Sequence, residues 1–502
     1  MSHLLNIPLE VLREITSYLT TPEYGNLRRT CRYLEASLFG DFAKEFFSKR
    51  QFALIEFSIQ VLVDIAKSRL GPSLTHLIIH LEHPRSVAMQ NTLNSMFQVS
   101  DQRLVAHNKY LAESLNHSEF ITTGLDVEML SDAVKHLPNL ETIGMRDFNS
   151  KSRSRDNTEW NSYGCPTFCK ETGTRLEMPA SWVPAFSTSD RGPEYTKHVF
   201  LTILRAIGNA AASDCNPQLT RIEILLHSCR LLDQTFKIPQ RFDAGISSAL
   251  SKLTAIFVDG LMDQHPRFLV GDSTAPLEGS GYFLSRFLVK APALEHLRLN
   301  FQGYNELSTG RFLLWLAETP RTTDAKIPPI DSLATTEASK SLPANFPPTP
   351  HFPNLRYLDI GMASVTEPTL LTLYGKYKST LRGVSLHKTT LVCLQDGKIN
   401  LWARLCNNMA KAGLELTKIG LHYMKQLVGA RPKLGEIIIK GSRNKRVADW
   451  KGSSFSHASN DITNKMEVFW PKHYHHEDME SDEDMDSDED EDDSMDDDGD
   501  SD

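Results

Sequence analysis

The 502-residue chain has no uninterrupted apolar run of about eighteen residues or more, so nothing in it reads as a membrane-spanning helix. Met1 to Thr20 lacks the basic start, apolar centre and small-residue cleavage site of a secretory leader. Cysteine is scarce. Seven residues scattered between Cys31 and Cys406 make no disulfide framework for a chain this long, which points to a reducing compartment, cytoplasm and/or nucleus. Catalytic signatures are missing as well: there is no Gly-x-x-x-x-Gly-Lys phosphate loop, Gly-x-Gly-x-x-Gly, His-Glu-x-x-His or Gly-x-Ser-x-Gly. Cys165 and Cys169 offer two thiolates, but a structural zinc site wants four ligands and no second close pair exists. Lys472-His473-Tyr474-His475-His476 reads as a solvated linker. The sequence thus assigns no catalytic residue, no metal and no cofactor, and the reading is a non-enzyme. Dense basic runs are absent too; Arg443-Asn444-Lys445-Arg446 is an isolated surface cluster, so nucleic acid is not an expected partner.

Acidic residues, in contrast, are concentrated. Glu477 to Asp502 contains 18 Asp and Glu and no Lys or Arg, so the formal charge of −9 divides into a tail of −18 and a remainder of +9. With no Leu, Ile, Val, Phe, Tyr or Trp to bury, such a segment is expected to stay disordered. Ser481, Ser487 and Ser494 each have an Asp three residues later, which resembles the consensus of casein-kinase-II-type enzymes and marks them as phosphorylation candidates.

The first fifty residues form a second distinct unit. Pro8 stands just inside a helix start, and Leu12, Ile15 and Leu19, flanked by Val11 and Tyr18, recur at helical spacing. Thr20-Thr21-Pro22-Glu23 is a capping-box start for a second helix. Leu27, Cys31, Leu34 and Leu38 make the stripe of a third, with Arg28, Arg29 and Arg32 on its wet side. So small a module cannot bury all its apolar surface alone. The runs Leu5-Asn6-Ile7-Pro8-Leu9-Glu10-Val11-Leu12-Arg13-Glu14-Ile15 and Leu27-Arg28-Arg29-Thr30-Cys31-Arg32-Tyr33-Leu34 resemble an F-box, with Ile7 where a Leu usually precedes the proline. The continuation to about Leu81 looks like that of F-box proteins of filamentous fungi. The resemblance implies a Skp-type adaptor as partner and, through it, cullin and RING subunits. It assigns adaptor-facing and helix-packing roles to Leu5, Ile7, Pro8, Leu9, Val11, Leu12, Ile15, Leu19, Leu27, Cys31 and Leu34.

Beyond this unit one pattern, Leu-x-x-apolar-x-apolar, recurs eight times, led by Leu74, Leu140, Leu219, Leu253, Leu294, Leu355, Leu381 and Leu434. Six of these leucines have proline two residues earlier, where it turns a helix into a strand. Helical periodicity precedes several of them, at Leu125 to His136, His198 to Ala212, Tyr282 to Lys290, Leu370 to Tyr377 and Trp402 to Ala412. Helix alternating with one strand motif resembles a leucine-rich-repeat solenoid, although the intervals run from 26 to 79 residues where such repeats recur every 20 to 29 or so. An ordinary α/β domain whose buried strands follow prolines stays open.

The expected class is therefore α/β (α+β): an F-box over 1–50, an irregular repeat body over 51–442, a linker over 443–476 and a disordered acidic tail over 477–502. Two long insertions, 147–195 and 319–353, interrupt the body; the first carries Arg153, Arg155 and Asp156 and the aromatic anchors Trp160, Trp182 and Phe186. Between the strand leucines the register points Arg146, Arg221, Glu223, Asp259, Arg298, Tyr357, Asp359 and His387 outward, the expected substrate-binding positions. The resemblance implies the substrate-recognition subunit of a Skp/cullin/F-box ubiquitin ligase. An adaptor-bound scaffold acting outside a ligase, and a structural repeat protein with no adaptor, stay open.

Overall fold

The computed structural model describes residues 7–84, 101–149, 155–156, 161–179, 192–213, 218–262, 281–302, 306–318, 347–395, 397, 399–429, 433–442 and 444–470. Leu5, Trp160, Trp182, Phe186, Ser481, Ser487, Ser494 and the acidic segment lie outside the described residues.

Three helices open the chain: α1 (Leu9–Ser17), α2 (Thr21–Arg29) and α3 (Arg32–Phe47). One residue later the first strand begins. Nine parallel strands follow one another across a single sheet: β1 (Lys49–Ala53), β2 (His76–His80), β3 (Thr142–Arg146), β4 (Arg221–Leu225), β6 (Ala255–Met262), β7 (His296–Phe301), β8 (Tyr357–Gly361), β10 (Gly383–His387) and β12 (Lys418–His422). The short β5 (Leu231–Leu232) adds to β6, and β15 (Val447–Lys451) closes the far edge antiparallel to β12. Helices at Leu125–Lys135, Gly192–Ala211, Tyr282–Val289, Glu367–Lys376 and Leu401–Lys411 occupy the segments whose periodicity predicted them. None of the helices among the described residues is long and apolar enough to cross a membrane.

One junction repeats at every step of the sheet. The carbonyl of the residue after each leading apolar position accepts two successive N–H groups from the next repeat. Ser48 O takes those of Thr75 and His76 at 3.0 and 2.9 Å, and Thr75 O those of Glu141 and Thr142. The same pair of bonds joins Glu141, Thr220, Thr254, Glu295, Arg356 and Arg382 to their successors, ending at Thr417 and Lys418. Leu74, Leu140, Leu253, Leu294, Leu355 and Leu381 are completely buried just before these junctions, and the alternate residues Leu77 and Ile79, Ile143 and Met145, or Leu297 and Leu299 face the same core.

The junction corrects two expectations. Leu416-Ile419-Leu421, which no proline precedes, supplies the last parallel strand; Gly413 in the left-handed region ends the helix before it. Leu434-Ile437-Ile439, preceded by Pro432, lies instead in β14 (Lys433–Ile439), antiparallel in a second sheet with β9 (Ser364–Val365), β11 (Thr390–Cys393), β13 (Lys425–Val428) and β16 (Met466–Phe469). Leu434 itself is exposed. Nor is 443–476 a linker in its described part. It supplies β15, a helix at Phe455–Lys465 and β16, because Trp450, Phe455 and Met466 have apolar surface to bury against the last repeats.

Under the loops near β2 lies a polar cluster that the apolar core cannot solvate. His198 Nε2 sits 2.7 Å from Asp126 Oδ2, and the Thr202 hydroxyl donates to the same oxygen at 2.9 Å. Tyr195 stacks on His83 at 3.9 Å, with His117 about one ring away from both. Neither ring nitrogen of His117 has a hydrogen-bond partner among the described residues. Burial, reinforced by His83 and His198, pushes His117 down to about 3.

Because that value lies below the unfolded one of about 6.5, the unfolded state binds the extra proton first, and stability falls as pH drops from about 6.5 toward 3. His117→Phe should remove this dependence. Urea denaturation of both proteins at pH 7.5 and pH 5.0 is expected to show their difference in stability changing by about 2 kcal/mol in favour of the variant at low pH. An identical difference at both pH values would show that His117 does not titrate with unfolding.

Candidate functional site

One face of α1 is buried in the small core of the three helices and another is open to solvent. Pro8, in extended conformation, accepts the N–H of Leu12 at 3.0 Å and so starts the helix. Leu12 and Thr16 point inward. Three and seven residues from Pro8, on the face beside the buried one, Val11 and Ile15 are 48% and 38% exposed, and Tyr18 continues the row at 79%. A row at positions i, i+3, i+7 and i+10 is one stripe of a helix, and here it is apolar and open to solvent.

The inner face packs on Tyr24, whose ring lies 6.2 Å from those of both Phe42 and Phe46, with Leu34 and Leu38 completing a small core. The start of α2 is held by Glu23, which accepts from the backbone N–H and hydroxyl of Thr20 at 2.9 and 2.8 Å; these bonds hold its carboxyl below the usual range. The Cys31 sulfur accepts the N–H of Leu34 at 3.5 Å and starts α3.

This geometry divides the residues assigned from sequence. Leu12 and Leu34 are core; Ile7, Leu9, Leu19, Leu27 and Cys31 are half-buried against it; Pro8, Val11 and Ile15 are presented outward. Tyr18 was missed as a site residue because its neighbour Leu19 carries the apolar spacing. Two details of the third helix are corrected: Leu27 belongs to α2, and Arg28 is buried, not wet. The Arg28 guanidinium lies 3.4 Å over the Phe42 ring and pairs with Glu35 at 3.2 Å.

The second candidate surface is the sheet face turned away from the helices. All eight residues expected there alternate with the buried strand positions and so share it, but Tyr357 alone of the eight is exposed, four are half-buried and three are buried. Arg146, Glu223 and Asp259 are buried among their neighbours. Glu223 lies 3.7 Å from Arg146, 3.5 Å from Arg221 and 3.4 Å from His76, while Asp259 pairs with Arg298 at 2.8 Å. Burial pushes the Asp259 carboxyl up against the pull of Arg298, and burial with Lys49, Arg146 and Arg221 holds His76 well down, in its neutral form. Asp359 accepts from His296 Nε2 at 2.7 Å. His387 is half-buried, 5.7 Å from the Tyr423 ring.

Carboxylates are thus tucked beneath cations. The side chains of Arg221 and Arg298 are 42% and 41% exposed, those of Glu223 and Asp259 only 9% and 11%. Across β4, β6, β7 and β8 a continuous strip runs: Arg221 over Phe257 at 5.3 Å, Phe257 against His296 at 4.6 Å, His296 against Tyr357 at 5.3 Å. The Tyr357 ring lies over Gly383, where a Cβ would come within 2.5 Å of it. Phe257 and His296 were not expected; the alternation that placed Arg221 and Tyr357 outward places them outward too. Cys165 donates to Glu82 at 3.2 Å and burial pushes its thiol up, so it is a poor metal ligand; no His, Cys, Asp and Glu cluster among the described residues has metal-binding geometry.

No curated protein matches the chain. The leucine-rich repeat-containing protein LegL7 from Legionella pneumophila has a solved structure similar to this one at 10% identity, over 83% of this chain and 98% of that one, with a TM-score of 0.27. The repeat-like character of the body rests on its own in-register ladder. The F-box domain family matches residues 4–36. The chain therefore carries an F-box domain at its N-terminus, ahead of an irregular leucine-rich-repeat-like body.

Proposed function

We propose that this protein is a substrate-recognition subunit of a Skp/cullin/F-box ubiquitin ligase. The observation that carries the reading is the open stripe Pro8, Val11, Ile15 and Tyr18 on a helix whose other face is already satisfied. F-box domains bind Skp-type adaptors, and an apolar row of this kind is what such a partner covers. Cullin and RING subunits join through the adaptor and supply the chemistry. The chain itself contributes positioning: by holding a target near a charged ubiquitin it turns a bimolecular encounter into an effectively intramolecular one. The target docks on the sheet face, with the strip from Arg221 to Tyr357 as anchor, since arginine and aromatic side chains dominate interface hot spots. An adaptor-bound scaffold without cullin is the second reading, favoured by the same stripe.

Val11→Asp with Ile15→Asp should abolish adaptor binding without unfolding the F-box, because neither side chain belongs to its core. Losing two anchors of about 2 kcal/mol each corresponds to a several-hundredfold weaker complex. Co-purification at natural expression level reads this directly. Adaptor and cullin with the wild type and neither with the variant support the ligase; adaptor without cullin supports the scaffold; no adaptor with the wild type removes both.

Phe257→Ala with Tyr357→Ala should reduce target capture by about tenfold or more, a typical loss for truncated anchors, while adaptor binding and circular dichroism stay unchanged. Affinity purification with the proteasome inhibited, followed by quantifying co-purified proteins, measures it. Equal recovery of every co-purified protein from wild type and variant would place the target elsewhere.

A further inference from the structure

The F-box is fastened to the body at more points than the chain connection requires. Phe47 packs on both the F-box core and the repeat core. Arg69, just past the body helix Glu56–Lys67, pairs with Glu35 of α3 and lies 4.1 Å over the Phe39 ring. These contacts hold α3. α1 and α2 share their core with α3, and Arg13 of α1 pairs with Asp41 of α3 at 2.7 Å, but none of these contacts ties α1 or α2 directly to the body.

The direct tie is a dipeptide from the insertion after β3. The Arg155 guanidinium takes both oxygens of Glu45, Nε to Oε1 at 2.6 Å and Nη2 to Oε2 at 2.8 Å. Its remaining nitrogen, Nη1, donates to the carbonyls of Thr16 and of Leu19, the latter at 2.7 Å. The group lies 4.6 Å over the Tyr24 ring and is 9% exposed. The next residue, Asp156, accepts the N–H of Thr21 through Oδ1 at 2.9 Å. A cation therefore caps the C-terminal end of α1 and an anion the N-terminal start of α2, each sign matching the helix end it meets. The insertion is itself anchored to the body on both sides of this dipeptide. Gln51 of β1 donates to Asn149 at 3.0 Å and to Ser162 at 2.9 Å, and Tyr163 bridges to Phe52 in parallel.

We propose that Arg155 and Asp156 form an internal clamp that fixes the α1–α2 corner on the repeat body, with Arg155 as the positioning residue for the open stripe. A side chain that merely stabilised the insertion would not direct all three guanidinium nitrogens to another unit. The clamp's existence stands on this geometry alone. Its functional consequence, a set distance between adaptor and target, rests on the adaptor reading.

Fluorophores introduced as unnatural amino acids at exposed Asn26 of α2 and exposed Glu128 of the body report the clamp in the full chain by single-molecule energy transfer. Wild type should give one narrow distance distribution. Arg155→Ala with Asp156→Ala should broaden it clearly, because the α1–α2 corner then reaches the body only through its packing on α3. Circular dichroism should not move. A distribution as narrow as the wild type's would overturn the clamp. Where the alanine pair instead unfolds α1 and α2, Arg155→Lys decides, since an ammonium can reach Glu45 or the α1 carbonyls but not both. An intermediate width supports the clamp and a wild-type width overturns it. Because the measurement needs no partner, failure of the adaptor to bind would leave its outcome intact and count against the adaptor reading alone.

Discussion

Everything in the body depends on one carbonyl per repeat that accepts two N–H groups from the next. A parallel strand needs its neighbour placed in register, and this two-bond junction does that at the same position eight times over, from Ser48 to Arg382. Register once fixed, the side chains sort themselves: a shift of one residue would carry every buried leucine to the open face. The insertions are tolerated for the same reason. The next strand can follow tens of residues later, provided a buried apolar residue and the junction precede it. The F-box is fused into this system at its first step, since Phe47 and Ser48 stand where Leu74 and Thr75 stand in the next repeat. The last residue of α3 is thus already a repeat position, and α3 cannot swing without breaking the sheet.

In-register stacking also decides the electrostatics of the open face. Neighbouring parallel strands lie about 4.8 Å apart, so a carboxylate on one strand is within reach of basic side chains offset by a residue or two along its own and nearby strands. Glu223 is enclosed by Arg146, Arg221 and His76, and Asp259 is covered by Arg298. Lone buried carboxylates would be costly; paired this way they anchor the longer arginines, whose ends remain in water. A face whose formal charges nearly balance therefore presents guanidinium and aromatic surface to an incoming partner.

Much of this was legible in the sequence and some of it could not be. The Leu-x-x-apolar-x-apolar pattern identified seven of the parallel strands with their inward residues, because alternation is a local property. Proline was the weaker cue. The Leu434 pattern, with Pro432 before it in the sequence, follows a strand and belongs to the second sheet, whereas Leu416 follows a helix ended by Gly413. Outward alternation likewise put Arg146, Glu223 and Asp259 on the right face, but their burial is set by neighbours on other strands, tens of residues away. Arg28 fell on the polar side of a helical wheel and is buried because Phe42, fourteen residues on, supplies a ring for its guanidinium. Arg155 and Asp156 stood out as charges in an insertion, and nothing local tells that they cap two helices of another unit.

The F-box shows why stability and recognition can share one short helix. Its fold is secured from inside by Leu12, Tyr24, Leu34, Leu38 and Phe46, and from outside by the Arg155 contacts and α3. None of these involves Val11, Ile15 or Tyr18. Those side chains contribute little to folding, and each exposes apolar surface whose full burial would gain about 1.5 to 3 kcal/mol. A module already held in place loses little further conformational freedom when that surface is covered. A free three-helix module of this size would have to meet part of the ordering cost from the same contacts. Fusing it to the sheet separates the two demands, so that the stripe on α1 is left for association alone.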